Sequence, residues 1–333
     1  MRQTIAAGLF LLMLLFLPPW LRAEEPAPQE DTSPQPIQTQ QAAPEDGTGS
    51  DAAHTLRLWD GSAVQTLTAA EYLPGVVRGE MPAAFELEAL KAQAVAERTY
   101  LYYRMTGGEK AAHPDADVCT DSNCCTAWLS EEDARVKWGD KFDQYEAKVQ
   151  QAVADTDGQV VLYDGAPIMA VFHSSSAGST AASGDVWTAE LPYLVSVKSP
   201  EEADSVPNYY SVNTFTAEEF RTIFCKAHAD ARLSGDCGGW VKDILLTNAG
   251  RVASATVGGV SVTGKELRSL FGLRSAVFTV ETAGDTITFH VTGYGHGVGM
   301  SQYGANELAK EGKNWQEILQ WYYTGVTIGL YNG

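Results

Sequence analysis

Glu80 is the residue in this sequence whose type and position best suit proton transfer. It lies in the stretch Gly79-Glu-Met-Pro82, between two segments that predict helices. A carboxylate in such a break can point into a cleft and act as a general acid and base. The end of the preceding helix would raise its pKa, and the start of the next helix would lower it. The alternative is a carboxylate that only caps the following helix.

A second group of reactive side chains falls within thirteen residues: His113, Cys119, Cys124 and Cys125. One histidine and three cysteines can close a tetrahedral zinc site without an open position, which is typical of a structural metal. Loss of such a metal is expected to lower stability before it affects chemistry. The alternative is a disulfide from Cys119 to Cys124 or to Cys125. Cys225 and Cys237 are the simplest disulfide pair elsewhere in the chain.

Two further stretches combine histidine with serine or glycine, at residues 173–176 and 293–304. Runs of this kind mark loops in which the backbone must approach something closely. His173 and His296 form one candidate acid and base pair, with a serine of the first stretch as nucleophile. The Gly-X-Ser-X-Gly motif is absent, however, and the serine hydroxyls suit hydrogen bonding to sugar groups better.

The elements that would position these residues are helices mixed with antiparallel hairpins. Capping residues and apolar periodicity predict helices after Thr68, Ser130 and Thr263 and over residues 86–105, 145–154, 301–310 and 314–323. Hairpin turns are predicted at residues 164–165, 248–250 and 283–285. Because no βαβ regularity appears, the predicted fold class is α+β, with mixed helices and antiparallel hairpins around a substrate cleft.

The first 53 residues predict an export segment followed by a spacer. Arg2 and the apolar run at residues 5–17 are typical of a signal peptide, and residues 1–23 are interpreted as a cleaved signal or an uncleaved anchor. Residues 24–53 contain five prolines and no lysine or arginine, which predicts a disordered acidic linker. Residues 54–333 then form the functional domain. The net charge of the whole chain, −19, argues against a nucleic-acid partner but not against a glycan.

Three stretches, in order along the chain, resemble the stage II sporulation protein D family of lytic transglycosylases. They are EMP at residues 80–82 with EALKAQAVA at 88–96 and RTY at 98–100, HSSS at 173–176 with VW at 186–187 and PYL at 192–194, and GHGVGMSQYGA at 295–305. The resemblance runs from about residue 67 to residue 328. Ala177 and Glu97 depart from it, since the family usually has glycine and alanine there.

The resemblance implies cleavage of the MurNAc–GlcNAc bond in peptidoglycan strands already stripped of stem peptides. The products would carry 1,6-anhydro-MurNAc ends, and the reaction would serve septal wall remodelling and engulfment during endospore formation. No cofactor is implied for catalysis. The implied partners are a cell-wall amidase/endopeptidase and a membrane scaffold protein, with the chain anchored at the sporulation septum. The alternative is a non-catalytic, glycan-binding activator of an amidase.

The resemblance also assigns the catalytic role to Glu80. One carboxylate suffices for this reaction because the muramyl C6 hydroxyl is an internal nucleophile. Residues expected to bind substrate around it are Lys91, Arg98, His173, Ser174, Ser175, His296 and Gln302. Lys91 and Arg98 lie about two turns apart on one predicted helix face, where they would hold Glu80 or the substrate. The alternative for these two is a pair of solvated surface cations.

Overall fold

The protein is described by a computed structural model that covers residues 50–107 and 112–331. These residues fall within one compact unit, Pro44–Gly333. The predicted export segment and residues 24–49 of the predicted linker lie outside the described residues. Within the described chain, no helix has the length and apolar character needed to cross a membrane.

Helices and short strands alternate along the chain. The helices are α1 (Ala69–Glu80), α2 (Leu87–Thr106), α3 (Glu131–Trp138), α4 (Phe142–Ala154), α5 (Ala217–Ala227), α6 (Gly264–Leu270), α7 (Gln302–Lys310) and α8 (Trp315–Tyr322). The strands are β1 (Thr55–Trp59), β2 (Val64–Thr68), β3 (Val118–Cys119), β4 (Gln159–Tyr163), β5 (Ala166–Pro167), β6 (Phe172–His173), β7 (Tyr210–Thr216), β8 (Val241–Leu246), β9 (Val252–Val257), β10 (Val260–Thr263), β11 (Phe278–Ala283), β12 (Thr286–Thr292), β13 (Met300–Ser301) and β14 (Thr327–Leu330).

The strands form small sheets rather than one large one. Their orders are β2-β1-β3, β14-β4-β5, β10-β9-β8, β11-β12-β7 and the pair β13-β6. Pairing is antiparallel except between β1 and β3 and between β6 and β13. Helices and antiparallel hairpins are thus mixed, and the predicted α+β class is confirmed.

Local sequence signals account for most of these elements. Thr68 and Glu71 form the predicted capping box at the start of α1, and Thr263 caps α6. Asp164 and Gly165 adopt φ values of 50° and 80°, as a tight hairpin turn between β4 and β5 requires. The predicted helices and hairpins are therefore present, with ends that differ by a few residues.

Two hydrophobic cores lie within the described chain. The first is built around α2, whose buried residues surround the whole helix rather than one face, and it draws on residues 56–194 and 298–326. The second lies within residues 217–291 and is centred on stacked phenylalanines such as Phe220 and Phe271. The chain thus leaves the first core, builds a second, and returns at the glycine-rich stretch.

Candidate active site

The histidine–serine stretch and the glycine-rich stretch lie against each other. Strand β6 pairs in parallel with β13, so that His173 stands beside Ser301. Further along, Ser175 and Tyr294 exchange two backbone hydrogen bonds of 3.1 and 2.9 Å. These contacts bring residues 173–176 and 293–301, which are far apart in sequence, to one surface.

Glycine is required in the second stretch because its backbone lies so close to the first. Gly295 and Gly299 have φ values of +113° and +72°. An added Cβ would lie 2.8 Å from Cβ of His173 at the first position and 2.1 Å from the carbonyl oxygen of Val171 at the second. The alternating glycines therefore serve close backbone packing, and no phosphate-binding role is needed to explain them.

An open pocket of about 630 Å³ lies where these stretches meet the end of α1. Predicted functional residues on its walls are Glu80, His173, Ser174, His296 and Gln302. Among the described residues that line it, Glu80 is the only carboxyl group. The structure thus brings one candidate proton donor and four predicted binding residues to a single surface.

Glu80 is the last residue of α1, and one carboxylate oxygen accepts a 2.5 Å hydrogen bond from the backbone N–H of Ala127. Burial raises the pKa of Glu80 above its ordinary value, and the Ala127 hydrogen bond offsets part of that rise. A raised pKa favours the protonated form that a general acid needs. Glu80 does not cap the following helix, because Glu86 occupies the N-cap position of α2.

The segment that supplies this N–H group packs against a face of α1 that carries glycines instead of side chains. Gly75 and Gly79 are four residues apart, and an added Cβ would lie 2.1 Å from the Trp128 ring at the first and 2.7 Å from the Ala127 carbonyl oxygen at the second. The Leu129 N–H also donates to the Gly75 carbonyl. The two glycines therefore hold Ala127 at hydrogen-bonding distance from Glu80.

Beneath Glu80, a second carboxyl group is almost completely buried. Glu97 on α2 is 2% exposed and accepts a 2.9 Å hydrogen bond from the side-chain amide of Gln93. Gln302 donates to the Glu80 carbonyl oxygen at 3.0 Å and to Gln93 at 3.5 Å. Burial and the charge of Glu80 raise the pKa of Glu97 well above its ordinary value. Glu97 is thus a neutral acid while Glu80 titrates.

The two histidines are held neutral. In His173, Nδ1 faces the Val298 carbonyl at 3.2 Å and Nε2 faces the Ser176 hydroxyl at 2.7 Å. Burial lowers the pKa of His173 well below its ordinary value, and burial together with nearby arginine charges lowers the pKa of His296 to about 4. Imidazoles fixed in this way position the loops, and Ser176, which does not line the pocket, offers no accessible nucleophile.

The histidine and cysteines of the predicted metal site come together. One ligand atom from each of His113, Cys119, Cys124 and Cys125 lies within 4.8 Å of all the others. His113 directs Nδ1 at the Ala116 carbonyl at 3.0 Å and Nε2 at the Cys125 sulfur at 3.4 Å. This is the usual arrangement of a zinc-binding imidazole, whose second nitrogen bonds a carbonyl. The donor set therefore fits a closed zinc site.

Disulfides are not formed at the predicted positions. None of the five cysteines, all of which lie in the described residues, is oxidised. The expected pair of Cys225 and Cys237 is wrong for this structure, since the Cys237 sulfur points at the Gly284 carbonyl oxygen at 3.4 Å. Burial raises the pKa of Cys119 to about 12, and the neighbouring Cys125 adds to that rise. A bound cation would lower this pKa again, because it stabilises the thiolate.

Comparison with known proteins agrees with this geometry. Residues 60–163 match the family model described as Stage II sporulation protein. The chain is 38% identical over 270 residues to Stage II sporulation protein D of Bacillus subtilis (strain 168), covering 80% of this chain and 76% of that protein. The chain belongs to the stage II sporulation protein D family. It is also 38% identical over 267 residues to Stage II sporulation protein D of Bacillus amyloliquefaciens, covering 80% and 75%.

A more distant relative carries a different description. The chain is 31% identical over 308 residues to the Amidase enhancer of Bacillus subtilis (strain 168), covering 78% of this chain and 40% of that protein. The family resemblance found at the three stretches is confirmed by the stage II sporulation protein D relatives, and each of the three stretches contributes residues to the pocket.

Three predicted binding residues lie elsewhere. Arg98 is fully buried, and its guanidinium forms a bidentate pair with Asp51 at 2.6 and 2.7 Å. Lys91 pairs with Glu88 and Asp155 at 2.9 and 3.0 Å. The Ser175 hydroxyl is buried without a hydrogen-bond partner among the described residues and does not line the pocket. In this structure Arg98 and Lys91 are therefore ion-paired residues that do not line the pocket, and neither is a solvated surface cation.

Sequence reasoning missed other residues around Glu80. Arg268 and Tyr294 line the main pocket, and Trp187 packs its ring 5.3 Å from that of His296. On the other side of Glu80, a smaller cavity of about 280 Å³ is lined by Trp138 and Tyr145. The VW motif marked Trp187, but nothing local marked Arg268, which lies on a helix of the second core.

Proposed function

We propose that this protein is a peptidoglycan lytic transglycosylase that cleaves the MurNAc–GlcNAc bond of peptide-stripped strands to leave 1,6-anhydro-MurNAc ends. Family membership supports a role in sporulation and in the cell wall, which in this proposal is septal wall remodelling and engulfment. The observation that carries the reaction type is that Glu80 is the only carboxyl group among the described pocket-lining residues.

A single carboxyl group is what this reaction needs. Glycosidases that use water generally place two carboxyl groups on either side of the bond. In a lytic transglycosylase the muramyl C6 hydroxyl attacks its own anomeric carbon, so that no second group has to activate water. Glu80 would first donate its proton to the leaving glycosidic oxygen and then accept the proton of the C6 hydroxyl. Glu97, which is 2% exposed, reaches neither the substrate nor water.

Substitution of the proton donor tests this proposal. Glu80→Gln keeps the size and polarity of the side chain but cannot shuttle a proton, so turnover of peptide-free glycan strands should fall by roughly a hundredfold or more. Mass spectrometry of the products should show anhydro ends from the wild-type protein. Binding of the strands should persist in the variant.

The matched control is Glu132→Gln, a solvent-exposed glutamate on α3 that should leave turnover unchanged. Reducing MurNAc ends in the products would replace the transglycosylase with a hydrolase. Full turnover by Glu80→Gln would exclude Glu80 as the proton donor.

We further propose a structural zinc ion held by His113, Cys119, Cys124 and Cys125. Bound there, zinc would cross-link the segment between α2 and α3, and with four protein ligands it would leave no position for substrate. Catalysis itself needs no cofactor in this proposal.

The proposed setting is the sporulation septum. Residues 1–23 would anchor the chain in the membrane with the domain outside the cytoplasm, or release it as a secreted protein if they are cleaved. The proposed partners are glycan strands, a cell-wall amidase/endopeptidase and a membrane scaffold protein. Fractionation of cells would separate the two fates, because only the uncleaved protein stays with membranes.

A second candidate function is a glycan-binding activator of a cell-wall amidase that performs no chemistry. The relationship to the Amidase enhancer favours it. The two functions separate in one assay, since an activator would stimulate amidase activity equally well with Glu80→Gln, and the wild-type protein would release no anhydro products.

A further inference from the structure

Two arginines beside the pocket have no ion-pair partner among the described residues. Arg268 on α6 lines the same pocket as Glu80, although it belongs to the part of the chain that builds the second core. Arg251 directly precedes β9 and is 7% exposed. The chain has 42 acidic residues against 23 lysines and arginines, so a shortage of carboxylates does not explain why these two arginines lack ion-pair partners. Partly desolvated cations without a carboxylate at ion-pair distance indicate a site for an anionic ligand.

The side chain of Arg268 is oriented by the backbone. Its Nε lies 3.3 Å from the Leu273 carbonyl oxygen and 3.2 Å from that of Arg274. These two contacts fix the plane of the guanidinium. Its two terminal nitrogens make no hydrogen bond to the residues that the structure describes. They are therefore donors available to a ligand in the pocket, in the fork geometry that suits a carboxylate.

Arg251 adds a second charge behind the first. An added Cβ at Gly297 would lie 2.5 Å from an Arg251 nitrogen, so the guanidinium rests on the backbone next to His296. Burial, followed by the charge of Arg268, lowers the pKa of Arg251 to about 10, while Asp185 acts in the opposite sense. Arg251 therefore remains charged at neutral pH, and Arg268 stays charged as arginines in proteins do. With His173 and His296 neutral, this wall of the pocket is positive, and it lines the same pocket as Glu80.

A glycan strand offers one kind of anion that this wall can recognise. The lactyl group of muramic acid ends in a carboxyl group, which is an uncharged amide as long as a stem peptide is attached. Removal of the peptide exposes a carboxylate once in every disaccharide. A peptide-stripped strand is thus a regularly spaced anion, whereas a strand that retains its peptides has no charge at that atom.

We propose that Arg268, supported by Arg251, forms a carboxylate-binding subsite that recognises the lactyl group of a muramic acid residue from which the peptide has been removed. This inference rests on the proposed function, because it assigns the strand to the same pocket. In this proposal Arg268, which belongs to the second core, selects stripped strands at a pocket that is otherwise built mainly by the first core.

The test uses two substrates that differ only at the lactyl carboxyl group. Peptide-free strands are compared with the same strands after conversion of their lactyl carboxyl groups to methylamides. The wild-type protein should prefer the carboxylate strands by roughly tenfold to a hundredfold in kcat/KM, the range expected for hydrogen bonds to a charged group. Arg268→Gln should lose most of that preference by slowing on carboxylate strands while its activity on methylamide strands stays within about twofold.

Two variants control for folding and charge. Lys265→Gln, an exposed cation on the same helix, should keep the wild-type preference, and Arg268→Lys should keep part of it. Equal loss on both substrates in Arg268→Gln would show a structural role and overturn the proposal, as would a wild-type protein without any preference.

Binding to the Glu80→Gln protein separates this proposal from the proposed function. Tighter binding of carboxylate strands than of methylamide strands, abolished by adding Arg268→Gln, supports the subsite even if the wild-type protein forms no anhydro products. Equal binding of the two strands overturns the subsite even if such products form.

Discussion

At the scale of single residues, two acidic side chains meet below the pocket and must titrate one after the other. Glu80 is half-buried at the pocket wall, and Glu97 lies behind it in the core, near the hydroxyl groups of Tyr72, Tyr100 and Tyr323. The charge on Glu80 raises the pKa of Glu97, whereas Glu97 adds nothing to the shift of Glu80 because it is still protonated when Glu80 ionises. The pair therefore supplies one working acid.

Glu97→Gln should make the protein more stable at high pH without changing its catalytic pH profile. The folded state keeps a proton on Glu97 that the unfolded state releases above its ordinary pKa of 4.5, so the wild-type protein loses stability as pH rises through that region. Glutamine has no proton to lose. Urea unfolding should show equal stabilities at about pH 4 and a stabilised variant at about pH 8.

The control for this prediction is Glu132→Gln. Glu132 is exposed, so this substitution should leave the stability unchanged at both pH values. If the variant and the wild-type protein lost stability in parallel as pH rises, Glu97 would be ionised in the folded state. A shifted activity profile in Glu97→Gln would lead to the same conclusion, because removal of a real charge next to Glu80 would lower its pKa.

Short-range patterns in the sequence pointed to several residues that the structure places at one pocket. Glycine-rich and serine-rich stretches indicate loops in which backbones approach closely. Four residues of these stretches line the pocket: His173, Ser174, His296 and Gln302. Arg98 was misassigned because its partner, Asp51, is separated from it by 47 residues and lies in a stretch whose composition predicts a linker. Arg268 was missed because a cation on a short helix looks solvent-exposed until the fold of the second core is known.

At the scale of elements, the segment between α2 and α3 carries the predicted metal ligands and also contacts the proposed proton donor. Cys125 is two residues before Ala127, whose N–H group holds the Glu80 carboxylate, and both line the pocket. The sequence suggested that metal loss would lower stability before it affected chemistry. The geometry indicates instead that both should fall together, because the same segment carries the proposed zinc ligands and holds the proposed proton donor.

Zinc content and its removal test this coupling. The purified protein should contain about one zinc ion per chain, and removal by a chelator or by Cys119→Ser should lower both the melting temperature and turnover. Cys225→Ser, which changes a cysteine outside the cluster, should affect neither. Elemental analysis that finds no metal, with a mapped disulfide among Cys119, Cys124 and Cys125, would reject the site. Loss of stability with unchanged turnover would reject the coupling only.

At the scale of the whole molecule, residues from both cores, and from both ends of the first core, form the candidate active site. Glu80 comes from the early part of the chain, the glycine-rich stretch from the late part, and Arg268 from between them. Such long-range assembly explains why capping boxes and hairpin turns predicted the elements well, while nothing local predicted two cores. It also explains why the start of the packed chain lies earlier than the boundary at residue 54 that composition predicted.

The Asp51–Arg98 pair gives that earlier boundary an energetic consequence. Asp51 is 2% exposed and neutralises an arginine that is fully buried within α2, so a protein that begins at residue 54 keeps the cation without its partner. Breaking a buried pair in this way costs about 3–5 kcal/mol, and urea unfolding of chains that begin at residues 50 and 54 should differ by this amount. Arg98→Met in the shorter chain removes the stranded charge and should restore much of the loss, because an apolar side chain of similar length fills the same space. Equal stability of the two chains would mean that water reaches Arg98 in the folded protein, and a shorter chain that Arg98→Met fails to rescue would place the cost in the lost backbone contacts of residues 50–53.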